Sequence, residues 1–390
     1  MSLAERQQRL DSVLQDAYAL WHPQPFRERR PAWSDEYPAL TAQLLNLDDL
    51  TAEHLNRDGH AARQLLARHF PAIADLDAIS DFPAPHEALP FKPGGRWAWE
   101  IPGRKRRQIE AFAAATRPTG LPVLDWCAGK GHLGRLLALQ WTLEVSSLEI
   151  DPQLCADGRQ LAMKAQATQQ FACKNALTAG DVFSRNQHAV ALHACGDLHR
   201  RLITAGAQAG VAYFDIAPCC YHRGLGEAYQ PLSAATTTPL TRDDVRLAVT
   251  ETITASPRLI RQRDKEMAWK LGFDVWRRKQ GGELAYRSFK SVPAAWFRDD
   301  FSHFAAAMAL REQMPLPEKS LTGFEALGWQ RQREVMRLSI VRHAFRRPLE
   351  ILLVQDLGLY LAAQGYKVSI GSFCERQLTP RNLLISACRG

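Results

Sequence analysis

Val123-Leu124-Asp125-Trp126-Cys127-Ala128-Gly129-Lys130-Gly131-His132-Leu133-Gly134 is the stretch whose reading decides the fold. An apolar run, a glycine turn and the start of a helix follow one another without a gap. Glycine is needed where backbone must approach a ligand or take a positive φ. The helix start then offers unpaired N–H groups at the same place. Glu149 closes the next apolar run, 20 residues after Gly129, where a carboxylate can accept both hydroxyl protons of a ribose. Working outward, residues 121–127, 143–150, 170–174, 189–194 and 211–217 read as strands. Helices are expected between them, one beginning at 134, one over 152–167 with Pro152 at its first position, and one over 197–209 closed by Gly210. Strands alternating with helices over this length imply parallel βαβ units with right-handed crossovers.

The pattern lapses over residues 224–344, which read as mostly helical and rich in arginine and aromatics, and resumes near the end. Pro348 starts a helix that Gly365 stops, and residues 366–373 and 383–388 read as two strands joined by a short connection, so antiparallel. The expected architecture is an α/β, Rossmann-like sheet of seven strands, mostly parallel, with one antiparallel strand in the edge region. Ahead of it, residues 3–21, 39–47 and 51–70 read as helices, and residues 71–90 as a connector. Four segments follow: 1–90 helical, 91–223 the first part of the core, 224–344 a helical insertion related to substrate, and 345–390 the last helix and two strands of the core.

Two cofactors fit the glycine loop. Gly129, Gly131 and Gly134 match G-x-G-x-x-G, the dinucleotide fingerprint, with Glu149 at the expected distance. The competing reading is S-adenosylmethionine in a class I methyltransferase, where the first strand ends in an acidic residue that helps hold the cationic amino-acid end. Asp125 favours this reading, since an anion there would repel a pyrophosphate. A purely structural loop is the third possibility. On the favoured reading Asp125, Ala128, Gly129, Lys130, Gly131, His132, Leu133 and Glu149 form the cofactor cradle. Asn175, closing the third strand, would face the adenine amine or else simply form a turn.

Ligands in open α/β sheets bind at the carboxyl ends of the strands. The fourth strand ends in Leu192-His193-Ala194-Cys195-Gly196-Asp197-Leu198 and the fifth in Ala217-Pro218-Cys219-Cys220-Tyr221-His222. Such polar strand ends are unusual as core filling. The order D-x-x-A-G-K-G-H-L, L-H-A-C-G-D-L, P-C-C-Y-H resembles a branch of methyltransferase-like proteins that includes the glutathione S-transferase C-terminal-domain-containing proteins, related to tRNA 2′-O-methyltransferases. The tail Leu378-Thr379-Pro380-Arg381-Asn382-Leu383-Leu384-Ile385 is similar to that branch as well. The resemblance covers about 103–223 and 345–390, and Tyr221 before a single His222 departs from the tRNA enzymes. It implies methyl transfer from S-adenosylmethionine, with His193 at the cofactor and His193, Asp197, Cys219, Tyr221 and His222 as catalytic candidates. His193 and His222 are the possible bases, because neutral imidazole is available near pH 7. Asp197 could instead cap the following helix, and Cys219 could pack the floor of the site or attack a base as a nucleophile. Cys195, Cys219, Cys220, His193 and His222 are possible metal ligands. Adjacent strand residues point to opposite faces, however, so no metal is assigned.

Charge separates the chain. Residues 1–90 contain 8 Arg, no Lys and 14 acidic residues, while residues 91–390 contain 41 Lys+Arg and 27 Asp+Glu. The basic part suits a polyanion. Arg104-Lys105-Arg106-Arg107 precedes the first strand, and Trp269, Lys270, Phe273, Trp276, Arg277, Arg278 and Lys279 interleave aromatics with bases in the insertion. Cations neutralise phosphates and aromatics stack on unpaired bases, so RNA, and tRNA in particular, is the expected acceptor; DNA is not expected. A protein, a small molecule, or a non-catalytic scaffold role are the alternatives. No apolar run is long enough to span a bilayer, the charged N-terminus is no secretory signal, and the eight cysteines are unevenly placed. Free thiols, a cytoplasmic location and no membrane partner are therefore expected, and oligomeric state is left open.

Overall fold

Val123–Trp126 is buried on both faces and Leu383–Arg389 nearly so, as central strands of a sheet covered on both sides must be. The computed structural model describes residues 1–28, 30–82, 95–251, 256–281, 289, 291–316 and 321–390. Its sheet comprises β1 Val123–Trp126, β2 Val145–Glu149, β3 Gln169–Cys173, β4 His188–Cys195, β5 Tyr213–Cys219, β6 Tyr366–Ser372 and β7 Leu383–Arg389, in the order β3-β2-β1-β4-β5-β7-β6. Pairings from β3 through β5 are all parallel, and β7 runs antiparallel to both of its neighbours. The reversed strand is thus one place in from the edge that β6 forms. This is the Rossmann-like, mostly parallel seven-stranded sheet with one antiparallel strand in the edge region that the sequence implies.

Local chemistry sets the element ends. Asp151 caps the helix Pro152–Ala165 by accepting from Gln153 N and Leu154 N, with proline at its first turn. Gly210, at φ 78°, closes Asp197–Ala209. The strand order reverses between β1 and β4, and the crevice outside their carboxyl ends is where a ligand fits.

The chain divides into two compact units. One comprises Met1–Gln15, Asp75–Thr254 and Arg346–Gly390, and the other Asp16–Ala74 and Ala255–Phe345. The boundary expected near residue 90 falls outside the described residues. Within the first unit, the helix Leu3–Asp16 belongs with the sheet. The Asp11 carboxylate accepts from Thr237 and Thr238, and Gln7 Nε2 donates to Thr236 Oγ1 and the Leu352 carbonyl. The single helices expected over 3–21 and 51–70 are each two, the second pair separated by Asp58, whose carboxylate caps Gly59–Ala67.

In the second unit the long helices Pro257–Gly281 and Thr322–His343 approach closely at Gly272 and Gly328, where a Cβ on Gly328 would lie 2.8 Å from Gly272 N. Here the structure corrects one expectation. Trp269, Phe273 and Trp276 are buried in an apolar cluster with Phe297, Phe301, Phe304 and Met308. Arg277 is 3% exposed, and both Arg277 and Arg278 bond to the Asp274 carboxylate. The interleaving of aromatics and bases is the helical period of a core face with its ion pairs, not a stacking surface for RNA.

Candidate active site

The glycine loop leaves β1 through Cys127, whose φ is 57°, and reaches the helix His132–Trp141 through Gly129 (φ 58°) and Gly131 (φ 63°). The two glycines serve different needs. A Cβ on Gly129 would meet nothing within 4 Å, so its outer face is open space. A Cβ on Gly131 would overlap the Phe171 ring and Gln169 Nε2. Gly134 is confined as well, with Asp125 Oδ2 and Gln169 Nε2 each 2.7 Å from where its Cβ would lie.

Asp125 is 2% exposed and lies beneath the loop. Its Oδ2 accepts from Gly134 N (3.0 Å) and Ser147 Oγ (3.3 Å), and burial raises its pKa to about 6. The carboxylate braces the loop from below. Gln169 Nε2 completes the brace, donating to the Gly131 carbonyl (2.9 Å) and Ser147 Oγ (2.7 Å). Ser147 and Gln169 carry no motif signal, and only the register of β1, β2 and β3 brings them under the loop.

Glu149 stands at the end of β2, half-buried. Its Oε2 accepts from Gly129 N (2.9 Å), and its Oε1 from Ile150 N (2.9 Å) and Asp151 N (3.0 Å). The carboxylate is oriented by the loop: Oε1 is filled by two backbone N–H groups, and Oε2, which accepts only one, has a second lone pair available to a ribose hydroxyl. Open space over Gly129 beside an oriented acceptor fits the ribose end of S-adenosylmethionine.

The remaining loop residues take supporting positions. Ala128 N bonds to the Leu148 carbonyl, and the Ala128 carbonyl accepts from Gly131 N. Leu133 is core. Lys130 pairs with Asp157 at 2.8 Å and so ties the loop to the helix Pro152–Ala165. His132 is buried, accepts from Arg135 Nη2 at 2.7 Å, and is pushed down to about 3 by burial and the Arg135 charge. Asn175 is exposed, and its Oδ1 accepts from Leu177 N (3.0 Å). That oxygen is the one an adenine amine would use, and here it forms the turn that the sequence left as the alternative.

At the ends of β4 and β5 the backbone is irregular. The register of this pair shifts between Leu192 and Cys195. His193 (φ 64°) and Cys220 (φ 45°) are left-handed without being glycine, so together with Cys127 three adjacent strands end in a strained residue. His193 is half-buried, and burial lowers its pKa to about 4; the Cys220 charge opposes that shift, and Arg381, Lys105 and Arg104 add to it. His222 is half-buried too, with its pKa lowered by burial and its Nδ1 without a hydrogen-bond partner among the described residues.

Asp197 is the first residue of its helix, and the capping position is Gly196, so the carboxylate is no cap. It packs against Gly224, where a Cβ would overlap it, and a Cβ on Gly196 would likewise overlap the Arg223 carbonyl. These two glycines let the segment after β5 fold down onto the end of β4. Tyr221 is 1% exposed, its ring lies edge-on to His199 and its hydroxyl turns to the Pro218 carbonyl (3.5 Å). It is a core residue and not a group facing the crevice.

Cys195 and Cys219 are register partners with their sulfurs 3.4 Å apart, and Cys220 Sγ joins them within 4.8 Å of both. Alternation would send Cys219 and Cys220 to opposite faces, and the left-handed φ of Cys220 undoes it. Hydrogen bonds from the Cys195 and Cys219 thiols hold the Cys220 thiol well below its ordinary range, and they raise Cys219 in turn. Cys219 is therefore a poor nucleophile as it stands.

Residues 104–224 match a family model described as a methyltransferase domain. A glutathione S-transferase C-terminal domain-containing protein homolog from Drosophila pseudoobscura pseudoobscura is 31% identical over 124 residues, 30% of this chain and 20% of the relative. The chain thus matches about a fifth of that relative's length. Among solved structures, magnesium protoporphyrin IX methyltransferase from Synechocystis PCC 6803 with bound SAH is 11% identical, covering 73% of this chain and 81% of that one at a TM-score of 0.30. An rRNA methylase from Streptococcus thermophilus is 14% identical, covering 36% and 94% at a TM-score of 0.23. The glycine loop, Glu149 and both strand-end clusters all lie inside the stretch, residues 104–224, that matches a methyltransferase domain.

Proposed function

We propose that the protein transfers a methyl group from S-adenosylmethionine to RNA. The observation that supports methyl transfer is the pairing of open space over Gly129 with the oriented Glu149 carboxylate. The cofactor supplies an electrophilic methyl on a sulfonium centre. The chain's residues have to hold the two reactants close and aligned, which is worth more than any single catalytic group. Asp125, Ser147 and Gln169 keep the loop in its binding shape. Glu149 takes the ribose hydroxyls. His193 is neutral throughout the physiological range and so has a free lone pair for the acceptor's proton, but its pKa of about 4 makes it a weak base, suited to orienting the acceptor and to taking a proton only as the methyl transfers.

Support for RNA rests on charge alone, now that the insertion's aromatics are buried. Arg104, Lys105 and Arg107 are exposed at the start of the helix Gly103–Ala115, and the charges of Arg104 and Lys105 reach His193. A polyanion drawn to that helix would pass beside the reacting centre. Labelling RNA, protein and metabolite fractions from cells lacking the protein with tritiated S-adenosylmethionine tests this reading. Label in RNA is expected. Label confined to protein or metabolites would refute RNA and leave methyl transfer standing, and label in no fraction would count against transfer itself.

A further inference from the structure

We propose that Cys195, Cys219 and Cys220 form a binding site for one zinc-class divalent ion with an open fourth position. The three sulfurs lie mutually within 4.8 Å, and the Cys195–Cys219 separation is 3.4 Å. Tetrahedral zinc with bonds of about 2.3 Å to thiolate sets its sulfurs roughly 3.8 Å apart, so small side-chain rotations bring the trio onto an ion. Soft thiolate donors select zinc over magnesium or calcium.

The backbone supplies the stronger argument. Two irregularities are needed to bring these atoms together. The register shift between Leu192 and Cys195 places Cys195 opposite Cys219, and the φ of 45° at Cys220 turns its sulfur back beside its neighbour's. Left-handed backbone at a non-glycine residue costs on the order of 1–3 kcal/mol. Two cysteines packing as Cys195 and Cys219 do would not need the left-handed backbone at Cys220 that adds the third sulfur. Strain that converges three donors on one point fits a coordinated ion better than it fits packing.

Among the described residues, no fourth His, Cys, Asp or Glu donor joins the group. Three protein ligands and a vacant position are the arrangement of zinc sites that act on a bound water or substrate, in contrast to closed four-ligand structural sites. Binding is a proton exchange: three thiols release three protons, one divalent cation enters, and the tris-thiolate complex carries one negative charge. No electron moves. The position at the ends of β4 and β5 puts the open site on the half of the crevice left over by the cofactor cradle, where the methyl acceptor enters on the reading above. The site itself does not require that reading.

The test begins with the full chain purified without chelator and analysed for metal by mass spectrometry. The stripped protein is then titrated with cobalt(II) chloride, and thiolate-to-cobalt charge transfer is recorded. One zinc per chain and a charge-transfer band appropriate to three thiolates are expected. Cys220→Ser should weaken cobalt binding at least about tenfold and remove about a third of the band. Cys388→Ser, near the C-terminal end of β7, should change neither. Calorimetric titration with S-adenosylmethionine on the same samples reports whether each variant is folded, independently of the metal. Wild-type protein that binds S-adenosylmethionine but holds no zinc and gives no charge-transfer band overturns the site. So does intact-mass analysis showing a Cys195–Cys219 disulfide in that protein as purified.

Discussion

The two halves of the sheet's carboxyl edge are built by different means. On the β1–β2–β3 side, Cys127 leaves the strand at a positive φ, the loop beyond it takes its unusual angles at Gly129 and Gly131, and buried polar groups hold that loop through ordinary hydrogen bonds. On the β4–β5 side, His193 and Cys220 take similar angles with side chains attached, and the polar atoms that meet are thiols. A conformation supplied by glycine is cheap, whereas the same conformation at His193 or Cys220 has to be maintained by its surroundings. The first half is shaped by backbone and leaves open space over Gly129. The second is shaped around its own side chains, as a site for specific chemistry is.

The largest effect that sharpens this contrast should come from Gly131→Ala. The new methyl has no room between Phe171 and Gln169, and its φ of 63° is adverse, so a loss of about 3 kcal/mol in chemical denaturation is expected together with loss of cofactor binding. Gly129→Ala has the same adverse φ with open space around it, so about 1 kcal/mol is expected, with cofactor affinity still lost because the methyl enters the cradle. Equal stability losses in the two variants would break the distinction drawn between them.

Acid should destabilise both halves through their buried histidines. His132 beside the loop and His199 behind β4 are buried, with pKa values of about 3 and about 4 in place of 6.5. The unfolded chain takes up these protons first, so their contribution is complete above pH 6.5 and declines as pH falls toward 4 and 3. Asp125, raised to about 6, acts in the opposite sense: its contribution is present below 3.8 and lost as pH rises through 6. From these three groups a net loss of roughly 2 kcal/mol is expected between pH 6.5 and 5. Denaturation midpoints measured across that range check it, and His199→Asn should flatten the slope. A wild-type stability that is level from pH 7 to 5 would contradict these assignments.

A smaller effect concerns the proton. If His193 accepts it, the acid limb of kcat has its midpoint near 4 and not near 6.5, and His193→Ala lowers kcat by about 100-fold and removes the limb. A variant with an unchanged profile would remove His193 from that role. The smallest effect on the fold comes from replacing Arg104, Lys105 and Arg107 by Ala, which should shift stability by less than about 0.5 kcal/mol and leave cofactor affinity intact. The same change should weaken RNA binding and reduce its dependence on salt, measured between about 50 and 200 mM.

How far the sequence could be read follows the same division. All seven strands lie within two or three residues of where apolar runs and turn residues place them, because Pro152, Gly210 and Gly365 punctuate the chain by backbone chemistry that acts locally. The loop was legible for the same reason. The brace under it was not, since Ser147 and Gln169 matter only through strand register. Cys220 was misread because alternation assumes a regular strand, and nothing in Pro218-Cys219-Cys220-Tyr221 signals a left-handed residue. The insertion was misread because a charged helix with an aromatic stripe looks the same whether the stripe meets RNA or Phe301 and Phe304. Among the described residues, no helix is long and apolar enough to cross a membrane.

Isothermal titration of the wild-type chain with S-adenosylmethionine, repeated with Glu149→Ala, tests most directly the claim that the β1–β2 edge is a cofactor cradle. One saturable site is expected, weakened at least about tenfold when the ribose carboxylate is removed, which is the 1.4 kcal/mol expected of a charge-assisted hydrogen bond. No heat of binding at millimolar ligand, or equal affinity in the two proteins, would contradict it.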